Sequence, residues 1–600
     1  MDRNQAIGMI LISVMVFVYF FFIATPPTEA PKKNSPTTPK DTLQEKFLQK
    51  KPATNSIVLD SAFLQGKSQE IVLENKVLKV TLNSQGGKIQ QVLLKNFKTY
   101  DQKPLYLLDS QFSQMSYFVP TQAGKVDLYQ IFYEAEIKDK SVIFRAKAGE
   151  KIIEQTYALK GEESYQLDYS VKINGIALSK ENAQIEWSAN MPLTEKDAIP
   201  SRIKSTISYY GVNEGYDYLS ETNNLQDKTI NEPLKWIAFK QQFFIASLWA
   251  VQENQFSKAR LVSYADENNP KVVKSYKAIL DVSTEKLQNG KATFQFYLGP
   301  NQYSILKNLD FDFSRNVGLG WGIFGWLNKF LIIPIINFLE SFISSYGLLI
   351  IVLGIIIRLI LFPLNYKSYI GMAKMRVLKP ELDEIKARNE GDMQKIQAEQ
   401  LELYRQVGIN PLAGCIPMLL QIPIVIAVFT YFPNAIELRQ EAFLWADDLS
   451  TYDSILTLPF HIPFYGNHVS LFTILMTAST ILYTYYANQT SSVEGPMKVA
   501  SYIMPIVFMF MLNSYPAGLS YYYLVTNLLS ILQQIGIKKL VDEDKIKAIL
   551  EANRLKNKDK KKSGFQQRLE EALKAQQERL EAKKKALEQK KSQGKIKNKK

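Results

Sequence analysis

The chain has 600 residues, 46% of them hydrophobic, and a formal net charge of +14. That is room for several domains, and the single cysteine, Cys415, excludes both an internal disulfide framework and a lipid-modified cysteine behind the first apolar run. The charge is uneven: residues 538–600 hold 22 Lys and Arg against 10 Asp and Glu, so the basic character belongs to the tail.

The N-terminus carries a charge-free apolar run of 19 residues, 6–24. This is longer than a secretory h-region and long enough to span a bilayer. Prolines at 26, 27 and 31 make a poor cleavage region, so residues 1–24 read as an uncleaved transmembrane anchor, with a signal peptide as the alternative. Residues 25–54 hold six prolines among Lys, Thr and Ser, which predicts a disordered or polyproline-like linker.

From 55 to 310 the pattern turns to short alternating runs. VLKVTLNS (77–84) meets the turn QGG and then KIQQVLLKNF; later come KSVIFRAKAG, IIEQTYALKG, ESYQLDYSVKING and KATFQFYLGP. Period-2 spacing of apolar, β-branched and aromatic residues, broken about every ten residues, predicts a large antiparallel sandwich. The stretch has neither Cys nor His, which excludes zinc-type clusters. Gly-Lys-Ser at 66–68 lacks the upstream glycine of a phosphate loop and reads as a turn. A surface for unfolded chains, proteins or carbohydrate and a plain scaffold remain alternatives for this region.

Residues 311–345 form an apolar stretch interrupted by Asn328, Lys329, Pro334, Asn337 and Glu340. With Trp321 and Trp326 at its start, it predicts an amphipathic interfacial helix, a further span being the alternative. Five spans follow, at about 347–366, 412–432, 468–487, 499–514 and 517–536. The segment 367–405 carries eight Lys and Arg, and the tail is basic, whereas 433–466 has only Arg439 against five acids. The positive-inside rule therefore places 367–411 and the tail 538–600 in the cytoplasm, and 433–466 and the sandwich outside. With the anchor, six spans leave both termini inside.

Arg358 is the one charge in these five stretches. A charge at the centre of a membrane helix costs about 2.5–3.5 kcal/mol on insertion scales, and no Asp or Glu lies in the spans to pair with it. Either water reaches it within the membrane, or an incoming group pairs with it, or the side chain snorkels past Pro363 to the headgroups. Gln421 and Thr430, Thr473, Thr477, Thr480 and Tyr483, and Tyr521, Tyr522, Tyr523, Thr526, Asn527, Gln533 and Gln534 offer a polar, uncharged surround. Ordinary interhelical hydrogen bonding is the alternative for each.

Between the first two spans, Met372, Met375, Leu378, Leu382 and Ile385 form one helical stripe, and Met393, Ile396, Leu403 and Val407 a second. With Gly391 between them, the segment 368–408 predicts a helical hairpin. Its stripes either pack on each other or bind varied partners through methionine.

AKMRVLKPELDEIKARNEGDMQKIQAEQLELYRQVGINPLAGCIPMLLQIPI, IELRQEAFLWADDLS and MPIVFMFMLNSYPAGLSYYYLVTNLLSILQQ closely resemble the YidC family of membrane protein insertases, over about 324–537. The anchor, the linker and LENKVLKVTLNSQGGKIQQVLL resemble its long Gram-negative form, with a periplasmic sandwich. The resemblance implies a multi-domain inner-membrane protein, with an all-β periplasmic sandwich and an α-helical transmembrane core of five helices beside the anchor. It implies that Arg358 faces a hydrophilic groove, that Tyr522 and Tyr523 line the substrate path with Gln421, Ile422 and Val425, and that the hairpin is needed for activity. Asn527 is added to the groove as a polar residue of the last span. One position departs from the family: the residue one turn before the arginine, often hydroxyl-bearing, is Gly354.

The implied partners are nascent membrane proteins, the lipid bilayer and the Sec translocon, with no cofactor, metal or DNA. The lysine-rich tail suits ribosomal RNA through phosphate contacts, with anionic lipid or plain solvation as the alternatives. A secondary transporter is the main rival function, yet the core spans lack the acidic or histidine relays it would use. A membrane-anchored periplasmic binding protein is the second rival. An enzyme finds no nucleophile–base or metal constellation to support it.

Overall fold

The computed structural model describes residues 61–288, 290–389, 393–409, 416–490 and 496–557. The expected anchor 1–24, the linker 25–54, Gly391 and the tail beyond 557 lie outside the described residues.

Strands form where the alternation predicts them. Residues 70–109 make a four-stranded antiparallel sheet, and the strands after it join a fifteen-stranded antiparallel sheet. Ala183–Pro192 alternates buried and half-buried residues along its length, with Ala183, Ile185, Trp187, Ala189 and Met191 turned inward. The interior is a stack of rings: Tyr169 meets its cross-strand partners Tyr157 at 4.6 Å and Phe294 at 5.7 Å, and Trp187 meets Phe239 of a non-adjacent strand at 4.3 Å. Such ring pairs stabilise the sheet and its core beyond their area burial. The QGG turn needs its glycine: Gly86 has φ +93°, and a Cβ there would stand 2.6 Å from the Tyr129 carbonyl oxygen.

Strand Phe244–Ala250 is buried on both faces. Its even face lies in the sandwich, and Phe244 meets Phe97 of the first sheet at 5.2 Å. Its odd face is closed by Phe313, which packs on Trp249 at 4.8 Å and on its cross-strand partner Trp236 at 4.8 Å. Phe313 belongs to the turn that leads into the helical half, so the sandwich core continues into that junction.

The helical half begins with α1, Gly322–Glu340, which contains a π turn at Asn328–Ile332. Its buried face holds Gly325, Asn328, Ile332, Ile336 and Leu339, while Ile323, Trp326, Phe330 and Phe338 are exposed. An exposed face this apolar suits lipid better than water. Next come α2 (Tyr346–Val377), α3 (Lys379–Arg388), α4 (Met393–Gln406), α5 (Ile416–Tyr431), α6 (Leu471–Thr490), α7 (Pro496–Leu512), α8 (Ala517–Leu540) and α9 (Glu543–Asn557). The span expected to stop at 366 instead runs through Pro363 as one helix to Val377, and the one after 412 is described from Ile416. Two described helices, α1 and α2, are long and apolar enough to cross a bilayer by length and composition alone.

Segment 433–466 docks on the sandwich through buried polar groups. Arg439 donates to the Glu195 carboxylate at 2.9 Å and the Lys98 carbonyl at 2.6 Å, and its guanidinium lies over the Phe244 ring. Gln242 donates to the Pro433 carbonyl at 2.7 Å, and Gln440 to that of Thr99 at 2.8 Å. The segment also folds into a two-stranded ribbon, Leu456–Ile462 with Gly466–Val469.

Candidate functional site

The geometry around Arg358 starts from Gly354. The buried face of α2 carries Gly347, Leu349, Ile350, Leu353, Gly354 and Ile357. A Cβ at Gly354 would meet Val525, Thr526 and Leu529 of α8 at 3.5 Å, an ordinary van der Waals distance, so this face of α2 lies directly against α8. One turn on, Arg358 occupies the same face and reaches the same helix. Its Nη2 donates to the Thr526 carbonyl at 3.2 Å, and its Nη1 lies 3.5 Å from the Gln421 Oε1 of α5. Both acceptors are neutral, and the second contact is at the long limit of a hydrogen bond. The guanidinium thus turns inward, between α5 and α8, and not along α2 towards the headgroups. Arg358 stands 12 residues from the start of α2, about 18 Å at the helical rise.

A polar line continues from this point. The Thr526 carbonyl also accepts the Ser530 hydroxyl at 2.5 Å, and Asn365, two turns after Arg358, lies 3.4 Å from Gln533 through its amide. Tyr522, one turn before Thr526, is buried with its ring 5.7 Å from Phe432 and 5.9 Å from Tyr523. Ile422 is exposed and Val425 half-buried on α5.

The other polar residues divide differently from the expectation of one shared surround. Asn527 donates to Ser479 at 3.1 Å and Thr480 at 2.8 Å, and Thr473 meets Ser520 at 3.1 Å. These bonds form a seam between α6 and α8. The Thr430 hydroxyl closes onto the Ala427 carbonyl at 2.9 Å, beside Asn328, whose amide donates to the carbonyls of Leu319 and Ala427 at 2.8 Å. Interhelical bonding therefore accounts for Asn527, Thr473 and Thr480, and for Thr430 through the Asn328 amide at 3.3 Å, while Gln421 and Thr526 belong to the arginine. Sequence reasoning misses Asn365 and Ser530; their spacing of i+7 from Arg358 and i+4 from Thr526 is the signal that finds them.

In the hairpin, Leu378, Leu382 and Ile385 are buried with Ile396, Leu403 and Val407, and Met375 packs against them; Met372 is half-buried. The stripes do pack on each other. A third member of the cluster is not apparent from the sequence: α9 adds Ile546 and Leu550 and pairs Arg554 with Glu381 at 2.6 Å. Arg376 at the end of α2 pairs with Glu543 at 2.9 Å. Among the described residues no group of three His, Cys, Asp or Glu could hold a metal.

An antiparallel sandwich joined to apolar helices with an arginine turned between them defines a membrane protein with a large folded domain beside its helical core. Residues 338–545 match the family described as 60Kd inner membrane protein, and residues 70–333 match the YidC periplasmic domain. A membrane protein insertase YidC of Amoebophilus asiaticus is 44% identical over 594 residues, covering 96% of this chain and 99% of that protein. One from Cytophaga hutchinsonii is 42% identical over 610 residues, covering 96% and 98%. A solved active YidC insertase with its first transmembrane domain resolved is 16% identical, covering 86% of this chain and 99% of that one, at a TM-score of 0.32 that carries no weight. The chain belongs to the YidC family of membrane protein insertases, inner-membrane proteins with a periplasmic domain.

Proposed function

We propose that this chain integrates nascent membrane proteins into the inner membrane and helps them fold, without catalysing a chemical reaction. The site is an intramembrane hydrophilic groove centred on Arg358 and lined by Gln421, Ile422, Val425, Tyr522 and Tyr523. The observation that carries it is the arginine's setting: a guanidinium with five N–H donors meets one amide oxygen and one carbonyl, and neither is an anion. An acidic residue of an incoming segment supplies the missing charge and is stabilised while it moves towards the bilayer centre. The segment's apolar helix then partitions into lipid along the exposed helix surfaces. Hydrophobic partitioning drives the transfer, and membrane potential adds about 2.3 kcal/mol per charge per 100 mV.

The proposed topology has six spans with both termini in the cytoplasm. The contacts support it: 433–466 is tied to the sandwich by Arg439 and Glu195, and the hairpin is tied to α9 by Arg554 and Glu381. Each pair must share one side, and α5, α6, α7 and α8 alternate between them. The domains on this reading are the anchor 1–24, linker 25–54, periplasmic sandwich 55–310, interfacial helix 311–345, core 346–537 and basic tail 538–600. The tail is the candidate contact for the ribosome, and the chain works alone or with the Sec translocon.

Arg358→Ala should impair insertion of substrates with acidic translocated segments more than neutral ones, read by protease protection in proteoliposomes. Equal insertion of both classes by the variant would falsify the role. Ribosome co-sedimentation with and without 538–600, at two salt concentrations, tests the tail.

A further inference from the structure

We propose that the ribbon Leu456–Ile462/Gly466–Val469 dips its turn into the outer surface of the lipid bilayer and so anchors the outer ends of α6 and α7. The inference rests on reading these helices as membrane-spanning.

The ribbon's position comes first. Asn513, just past α7, donates to the Tyr465 carbonyl at 2.9 Å and the His468 carbonyl at 2.8 Å, and accepts from the Ser470 N–H at 3.0 Å at the start of α6. The Tyr465 ring packs 5.3 Å from Phe510, inside the last turn of α7. The ribbon is thereby pinned at the level where both helices end, and its turn is within reach of the plane of the headgroups.

Its chemistry matches that plane. No Asp, Glu, Lys or Arg occurs between Asp453 and Glu494. The strand pairing shifts between Thr457–His468 and Ile462–Gly466, and a bulge of this kind re-aims side chains. Beside the exposed Thr457, His461 and Asn467, the ribbon displays large apolar side chains: Leu456 at 56%, Phe460 at 59% and Phe464 at 90%. Neutral, aromatic-bearing segments of this kind favour the interface over water.

The turn itself is the sharpest observation. The Tyr465 N–H donates to the Ile462 carbonyl at 3.1 Å, which closes a β-turn with Pro463 second and Phe464 third. Phe464 has φ +65°, the left-handed conformation that such a turn reserves for glycine or asparagine. A bulky residue there is an outlier, and strained backbone persists where function or surroundings over-determine it. In water, a strained and fully displayed phenylalanine would be doubly unfavourable; buried in lipid, its exposure becomes the stabilising contribution. The apolar α1 packs against α2 and α5, so the ribbon adds a second surface anchor at a different pair of helices.

The test places an environment-sensitive NBD label on the full chain in a Cys415→Ser background, reconstituted in phosphatidylethanolamine–phosphatidylglycerol liposomes with shallow doxyl-labelled lipid. Leu359→Cys on the exposed side of α2 is the lipid reference, and Asp139→Cys in a sandwich turn the aqueous one. Labels at Phe460→Cys and Phe464→Cys should show blue-shifted emission and lose most of it to the doxyl lipid with no nascent chain present. Phe464→Gly, which suits the turn and therefore folds, should weaken the quenching at position 460. Quenching by aqueous iodide in place of doxyl lipid, while position 359 still meets lipid, overturns the anchor alone. If position 359 also escapes the lipid, the membrane reading fails with it. A response that appears only with ribosome-bound nascent chain overturns the lipid assignment in favour of a substrate contact.

Discussion

Arg439 is buried and Arg358 half-buried, and the molecule treats the two cations in opposite ways. At the junction between sandwich and helices, the Arg439 side chain is 2% exposed and holds the Glu195 carboxylate at 2.9 Å, with a carbonyl and a ring completing its shell. In the helical core, Arg358 has one carbonyl at 3.2 Å and one amide oxygen at 3.5 Å. The sandwich interior repeats the first pattern at Lys240, which meets the Glu221 carboxylate at 2.7 Å, while the neighbouring Lys274 donates to the Glu221 backbone carbonyl at 2.8 Å. Where the fold needs a buried cation for its own cohesion, it supplies the anion from within the chain. On the proposed function, Arg358 is the case where the anion is left to an incoming segment.

That contrast is sharpest in stability. Arg439→Met leaves Glu195 buried without its partner, and breaking a buried pair in this way costs about 3–5 kcal/mol. Thermal unfolding of the detergent-solubilised chain, followed through the sandwich tryptophans, should register the full loss, and adding Glu195→Gln should recover most of it. An unchanged melting curve would mean that the pair is not what closes the junction.

A second way to break the comparison uses pH. The Lys274 amine is pushed down to about 8, first by burial and then by Lys240 and Arg202, while Glu221 opposes the shift. Below pH 8 the folded and unfolded chains both hold this proton, and the folded state carries the whole cost. Between about 8 and the ordinary lysine value near 10.5, only the unfolded chain still holds it. The cost therefore fades and sandwich stability rises with pH, by on the order of 3 kcal/mol for a shift of this size. Denaturant midpoints across that range should show the rise, and Lys274→Met should abolish it.

Arg358→Met should behave unlike either. Its partners are a backbone carbonyl already shared with the Ser530 hydroxyl and a distant amide, so the expected stability change is about 1 kcal/mol or less. Insertion of acidic substrates should fall all the same. A melting loss as large as that of Arg439→Met would make Arg358 a structural residue and end the contrast.

Much of this division is legible in the amino-acid order. Alternation places the strands, because a sheet with one face in a core must repeat every two residues. Arg358 stands out because no carboxylate accompanies it. The Arg439–Glu195 pair is invisible at that level, since 244 residues separate its members and neither breaks a local pattern. The ribbon escapes notice because Pro459 and Pro463 argue against a strand. The docking of α9 is masked by its charges: only Ile546 and Leu550 mark the buried side of a helix that otherwise looks solvated. The hydroxyls of α6 and α8 fall in with the arginine because composition shows which residues are polar, whereas helix rotation decides which of them meet.

The smallest effect concerns Gly354. Every Cβ contact there is an ordinary 3.5 Å approach, so Gly354→Ser fits between α2 and α8 without forcing them apart. Stability should change by no more than about 0.5 kcal/mol. A hydroxyl one turn before Arg358 would add a polar group to the arginine's own face, and insertion of acidic substrates should hold or improve slightly. Paired melting and insertion measurements separate the two uses of that glycine. If the serine variant melts lower and inserts less, close helix approach is what the position is for. If it melts alike and inserts better, polarity around the guanidinium limits the wild-type chain, and an acid-free site with an adjustable lining is the feature that sets this region apart from the paired charges of the sandwich.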